Sequence, residues 1–174
     1  MTGKRPRPPI DEDSLRDLAL HYVGRFATSR AKLVAYLDRK VRERGWGGEQ
    51  PAEIDALVER LTDLGYINDS SFAALKSAAL ARRGFGARRV NETLRAAGIA
   101  ETDRGEADAT THSESWSAAD RFAKRKRIGP YAQQMPDPKQ RDKMIAAFLR
   151  AGHGFAIARL WVDAAPGEPP EPPE

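Results

Sequence analysis

Residues Leu61–Ile99 read LTDLGYINDSSFAALKSAALARRGFGARRVNETLRAAGI. Three helical segments and two turns are written into this stretch. Leu61 and Leu64 close an apolar stripe begun by Ile54, Leu57 and Val58, and Gly65 supplies a C-terminal cap. Tyr66 and Ile67 form a short apolar link. Asn68 or Asp69 caps the next helix, whose packing face is Phe72, Leu75, the aliphatic stem of Lys76, Ala79 and Leu80. Gly84 and Gly86 break that helix. Val90, Leu94 and Ala97 then recur at four- and three-residue spacing, and Gly98 ends the third helix.

Working outward, the same grammar recurs. Pro6, Pro8 and Pro9 exclude a helix over residues 1–10, which read as a flexible leader. Asp11, Glu12 and Asp13 suit the start of a helix, with Leu15, Leu18, Tyr22 and Phe26 as its stripe. Ser29 caps a second helix carrying Leu33, Tyr36, Leu37 and Val41, and Gly45, Gly47 and Gly48 stop it. Pro51 opens a third. Beyond Ile99, residues 100–115 (AETDRGEADATTHSES) lack apolar rhythm and predict a loop. Trp116, Ala119, Phe122 and Ala123 resume a helix. Pro130, Pro136 and Pro138 bound an irregular link. Met144, Ile145, Phe148 and Leu149 form another helix, broken at Gly152 and Gly154. A last one holds Phe155, Ile157, Ala158, Trp161 and Val162.

Three turn–helix segments superimpose. Ser29 aligns with Gly86 and Gly154; Leu33 with Val90 and Ala158; Leu37 with Leu94 and Val162. RRGFG at 82–86 matches RAGHG at 150–154. Such copies predict an all-α protein, an elongated array of tandem three-helix modules with helix-turn-helix-like repeats. The expected organisation is a leader at 1–10, module 1 at 11–66, and module 2 at 67–129 with the polar loop 100–115. A partial module 3 follows at 130–163, then a disordered Pro/Glu tail at 164–174.

Composition narrows function. The 174 residues include no cysteine, so disulfides and thiolate metal sites are excluded. No segment approaches the ~18 apolar residues of a membrane span, and the N-terminus has no apolar signal core; a cytoplasmic protein is expected. His21, His112 and His153 have no ligand-spaced partners, and no nucleophile–His constellation appears. No metal, no cofactor and no enzyme activity are therefore expected. Gly84–Phe85–Gly86 is no phosphate loop, because no Gly-Lys-Ser/Thr follows. The net charge is +4, but the tail from Asp163 holds four acids and no base, while residues 1–13 balance. Residues 14–162 thus carry +8, which favours anionic partners.

The candidate contacts are basic. Arg82, Arg83, Arg88 and Arg89 flank a turn whose glycines permit close approach, and guanidinium groups meet carboxylate or phosphate bidentately. A solvated turn between helices is the alternative. Arg121, Lys124, Arg125, Lys126 and Arg127 place five cations in seven residues. They cover more than one helix face, so they suit an acidic protein surface or a DNA backbone as well as plain solvation. Phe85, Phe155 and Trp161 suit base stacking but read better as core.

The stripe Ile54–Leu64, the joint Gly65–Asp69, Phe72–Ala73, and Arg83–Gly86 followed by Arg88, Arg89, Val90, Leu94, Gly98 and Ile99 closely resemble the RecX family of bacterial recombinase regulators. Ser29–Leu33 resembles the family's first repeat. The match covers about residues 14–99 and weakens beyond, with Lys143–Val162 suggesting the third module. The resemblance implies a monomer that binds the RecA filament on single-stranded DNA. It also implies inhibition of RecA's ATPase, strand-exchange and co-protease activities, and so modulation of recombination, DNA repair and the SOS response. Direct contact with single-stranded DNA would run through the basic turns. The competing reading is a helix-turn-helix DNA-binding transcriptional regulator, with Ala87–Ala97 entering a major groove and Arg88, Arg89, Asn91 and Arg95 as readers.

Overall fold

A computed structural model describes residues 7–173. Among them the fold is all-α. Nine α-helices follow in order: α1 Glu12–Arg25, α2 Arg30–Arg44, α3 Ile54–Asp63, α4 Asp69–Arg82, α5 Ala87–Ala96, α6 Gly105–Ser113, α7 Ser115–Lys126, α8 Pro138–Arg150 and α9 Phe155–Asp163. Short 3-10 turns lie at Glu101–Asp103 and Gly129–Tyr131. The chain divides into two compact units. The first runs up to Phe72 and takes in Ala97–Ile99. The second comprises Ala73–Ala96 and the residues from Ala100 onward.

In the first unit, local chemistry sets the helix starts. Asp11 accepts the N–H of Ser14 at 2.9 Å and begins α1. Asn68, not Asp69, caps α4 by accepting the N–H of Ser71 at 2.8 Å, which frees the Asp69 carboxylate to accept the N–H of Arg30 at 2.9 Å. Ser29 does two things. Its Oγ accepts the N–H of Lys32 at 3.3 Å and donates to the carbonyl of Ala97 at 2.6 Å. The close approach there needs Gly98, whose φ is +71° and whose Cβ would overlap that of Ala31. Leu15, Leu33, Leu37, Val58, Leu61 and Ile67 fill the core.

Two expectations change here. The flexible leader is corrected for residues 7–10; Met1–Pro6 lie outside the described residues. Ile10 is fully buried, its N–H donates to Gly45 and its carbonyl accepts from Gly47, both at 2.9 Å. Arg44 donates twice to the carbonyl of Pro8. Proline forbids a helix in this segment but suits the extended chain that this pairing needs. The third helix begins at Ile54 rather than at Pro51.

The second unit is built on Ala119, Phe122, Ile145, Phe148, Trp161 and Val162. Its central joint is backbone on backbone. Gly86 donates to Ala151 at 2.9 Å and Arg88 to Gly152 at 3.1 Å. A Cβ on Gly86 would overlap the Gly152 backbone, and one on Gly152, at φ +92°, would overlap Arg89. His153 is buried beside this joint, against the rings of Phe122 and Phe148, with Nε2 3.1 Å from the carbonyl of Gly84.

The polar loop expected at 100–115 is instead the helix α6, after a 3-10 turn. Its buried face is Ala107 and Thr111, four residues apart, and the Thr111 hydroxyl donates to the Ala107 carbonyl at 2.6 Å. Small residues bury a helix face without a large apolar stripe, so the periodicity is silent. The tail also differs: Gly167 donates to Pro130 at 2.9 Å, in a turn closed by Glu168 on Ala165; Glu174 lies outside the described residues. Phe155, expected in the core, is 59% exposed. It opens the short α9, whose inward positions go to Ala158, Trp161 and Val162. Leu75 is exposed as well, because Phe72, Ala73, Ser77, Leu80 and Ala81 take the inward face of α4.

Two stability measurements follow from these contacts. Ser29→Ala removes a cap and a buried bond, so denaturant unfolding should show a loss of about 1–3 kcal/mol. Burial holds the His153 imidazole below its ordinary value of 6.5; the Gly84 carbonyl opposes that shift and the Arg125 charge adds to it. The unfolded chain takes up this proton near pH 6.5 and the folded chain resists it. This contribution to stability is therefore whole above that pH and lost as pH falls through it. Urea midpoints at about pH 7.5 and about pH 5.5 should differ more for the wild type than for His153→Gln.

Candidate basic interface

All the sequence-selected cations lie in the second unit. Their arrangement starts from the end of α4. A helix leaves its last carbonyls without intrahelical donors. Here Leu80 and Ala81 accept from the N–H groups of the following turn, and α7 adds side-chain donors: Arg121 donates to Ala81 at 3.2 Å, and Arg125, one turn further on, donates to Arg83 just past the helix. Close passage of α7 needs Gly84, at φ +77°, where a Cβ would stand 2.9 Å from the backbone nitrogen of Phe122.

That passage builds an aromatic–cation stack. The guanidinium carbon of Arg83 lies 5.3 Å from the centre of the half-buried Phe85 ring, and that of Arg125 lies 5.9 Å from it. Arg125 also lies 5.4 Å from the Phe122 ring. Cation–π contact and the Arg83 carbonyl together hold an exposed guanidinium in place. Neither Arg83 nor Arg125 makes an ion pair among the described residues.

The other candidates differ in how free they are. Arg121 is half-buried and pairs with Glu114 at 3.1 Å. Arg88 and Arg89 share Glu92, at 3.2 and 3.8 Å. Exposed pairs of this kind contribute about 0–1 kcal/mol, so a stronger anion displaces them readily. Arg82, Arg95, Lys124, Lys126 and Arg127 are exposed, and none makes an ion pair among the described residues. Arg127 ends α7 in the left-handed region, at φ 55° and ψ 52°, where glycine is usual.

Sequence reasoning missed a cleft of about 550 Å³ beside that residue. Lys126, Arg127, Tyr131, Gln140, Lys143 and Met144 are among its walls, and none of its lining residues is acidic. Lys143 carries no local signal, since one lysine on an amphipathic helix reads as solvated. The Tyr131 hydroxyl donates to Asp120 at 2.6 Å, and this bond raises its pKa above the usual phenol value. Among the described residues no three His, Asp or Glu side chains converge as a metal site would need. What the surface offers chemically is positioned positive charge.

No family model matches the chain. Over 171 residues it is 34% identical to the regulatory protein RecX of Myxococcus xanthus (strain DK1622), covering 94% of this chain and 91% of that protein. It is 32% identical over 162 residues to the regulatory protein RecX of Deinococcus radiodurans, covering 90% and 72%. Among solved structures, a crystal structure of regulatory protein RecX superimposes with a TM-score of 0.65 at 19% identity, covering 87% of this chain and 73% of that one. The crystal structure of RecX from Lactobacillus salivarius gives 0.59 at 18% identity, covering 84% and 90%. These two likenesses show the fold.

The geometry separates structural arginines from free ones. Arg125→Ala should cost about 1 kcal/mol in urea unfolding, because the Arg83 carbonyl loses this donor and the Phe85 and Phe122 rings lose their cation. Lys124→Ala and Lys126→Ala should stay within about 0.5 kcal/mol of wild type.

Proposed function

The chain belongs to the RecX family of regulatory proteins, and on that premise we propose that it binds the RecA recombinase filament on single-stranded DNA. Binding slows the filament's ATP hydrolysis, strand exchange and co-protease action, and so modulates recombination, DNA repair and the SOS response. It acts as a cytoplasmic monomer and by binding rather than by catalysis.

The observation that carries this reading is the Arg83–Phe85–Arg125 stack. A guanidinium already held against a ring gives up little rotamer freedom on binding. A filament offers it carboxylates on protein and phosphates on DNA. Arg82, Lys124, Lys126 and Arg127, neighbours of its arginines in sequence, are exposed and make no ion pair among the described residues. Contacts of this kind are salt-sensitive and largely indifferent to base sequence.

The competing reading, a recognition helix at α5, fits less well. Such a helix presents its N-terminal residues to base edges. The backbone of the first turn of α5 is instead engaged, with Gly86 and Arg88 donating to Ala151 and Gly152, and the exposed Arg88 and Arg89 side chains share Glu92.

Steady-state ATP hydrolysis by RecA on single-stranded DNA is the test. Substoichiometric amounts of this protein should slow it. Charge reversal at Arg82, Arg83, Arg88 and Arg89 should restore most of the rate. No slowing at any ratio overturns the reading.

A further inference from the structure

A second aromatic–cation group lies in the first unit, on α1 and α2. Tyr22 and Tyr36 stack with ring centres 4.2 Å apart and planes 26° from parallel. Phe26 continues the row, 5.2 Å from Tyr22 and tilted by 51°. The helical period places Tyr22 and Phe26 one turn apart, and α2 brings Tyr36 alongside. Tyr22 and Tyr36 are half-buried against the core, whereas Phe26 is 49% exposed.

Cations stand at both ends of the row. The guanidinium of Arg25 lies 5.6 Å from the centre of the Phe26 ring. Arg39 and Lys40 lie 5.7 and 5.9 Å from that of Tyr36. One carboxylate serves the group: Glu43 meets Lys40 at 2.8 Å and Arg39 at 3.7 Å. Arg25 makes no ion pair among the described residues. Three cations against one acid leave a net positive charge.

We propose that this row is a stacking platform for unpaired bases of single-stranded DNA, with the half-exposed Phe26 as the ring a base meets on displacing Arg25 from above it, and Arg25, Arg39 and Lys40 as phosphate contacts. Flat rings in series with cations at either end match the alternation of base and phosphate along one strand. An acidic peptide would use the cations and leave the rings idle. A duplex would do the same, because its bases already cover one another's faces. The choice of DNA over RNA rests on the function proposed above; the platform itself does not.

The test uses the full-length protein without recombinase, so a failed ATPase assay leaves it untouched. Fluorescence anisotropy with labelled (dT)20, (rU)20 and a 20-base-pair duplex reads affinity. Phe26→Ala should weaken (dT)20 binding by about fivefold or more, in line with the loss of one stacked base. Phe26→Leu should weaken it similarly, since it keeps apolar bulk without a flat face. Glu43→Gln should tighten binding by freeing Arg39 and Lys40. Arg25→Gln should flatten the salt dependence by about 0.7 in logarithmic slope. A 5-iododeoxyuridine strand should photocrosslink to Phe26 or Tyr22. Unchanged affinity for both Phe26→Ala and Glu43→Gln overturns the proposal. So does full rescue by Phe26→Leu, tighter binding of (rU)20, or equal loss on the duplex.

Discussion

The N–H of Gly86 donates to the carbonyl of Ala151, and the order of the second unit depends on that contact. It brings the start of α5 against the end of α8 with no side chain between them. Gly86 and Gly152 are both required, because a Cβ on either overlaps the other turn. With the turns locked, α7 passes close to Gly84, and its arginines reach the carbonyls of Ala81 and Arg83. The placement of Arg83, Phe85 and Arg125 follows from that passage.

The first unit solves the same problem in its own way. Ser29, which opens α2, donates its hydroxyl to the carbonyl of Ala97 in the Ala97–Ile99 segment of the same unit, and Gly98 makes room for Ala31. Ser29 and Gly86, aligned by sequence alone, are thus both residues that open a helix against a turn containing a glycine, Gly98 and Gly152 respectively. The pairing is electrostatically sound, since helix starts expose donors and helix ends expose acceptors. Around Gly154, the third aligned position, the space for a Cβ is open.

Charge in this protein has two uses that composition cannot separate. Arg121 and Arg125 belong partly to the fold, because they tie α7 to the Ala81 and Arg83 carbonyls. Lys124 and Lys126, beside them in sequence, complete nothing among the described residues. The same division runs through α2, where Lys40 is bound to Glu43 while also flanking Tyr36. A cation held by a carbonyl or a ring keeps its charge, so structural duty does not remove it from an interface.

Helix starts and periods were legible without coordinates, because capping and amphipathic spacing are local. Ser29, Asn68 and the Ile54–Leu61 stripe show this, and so does the all-α class. The candidate cations were legible as residues but not as a site, since Arg125 meets Arg83 and Phe85 across some 40 residues of chain. The helix α6 was hidden because Ala107 and Thr111 pack by being small. Ile10 was hidden because one buried residue has no period, and the exposed Phe155 because a short helix leaves its phase undetermined. The rows of rings and cations at Phe85 and at Phe26 were decided only by tertiary structure. The amino-acid sequence determined where the chain turns and which faces are apolar. Only folding decided which glycine turns meet, and therefore which positive charges stand together unneutralised.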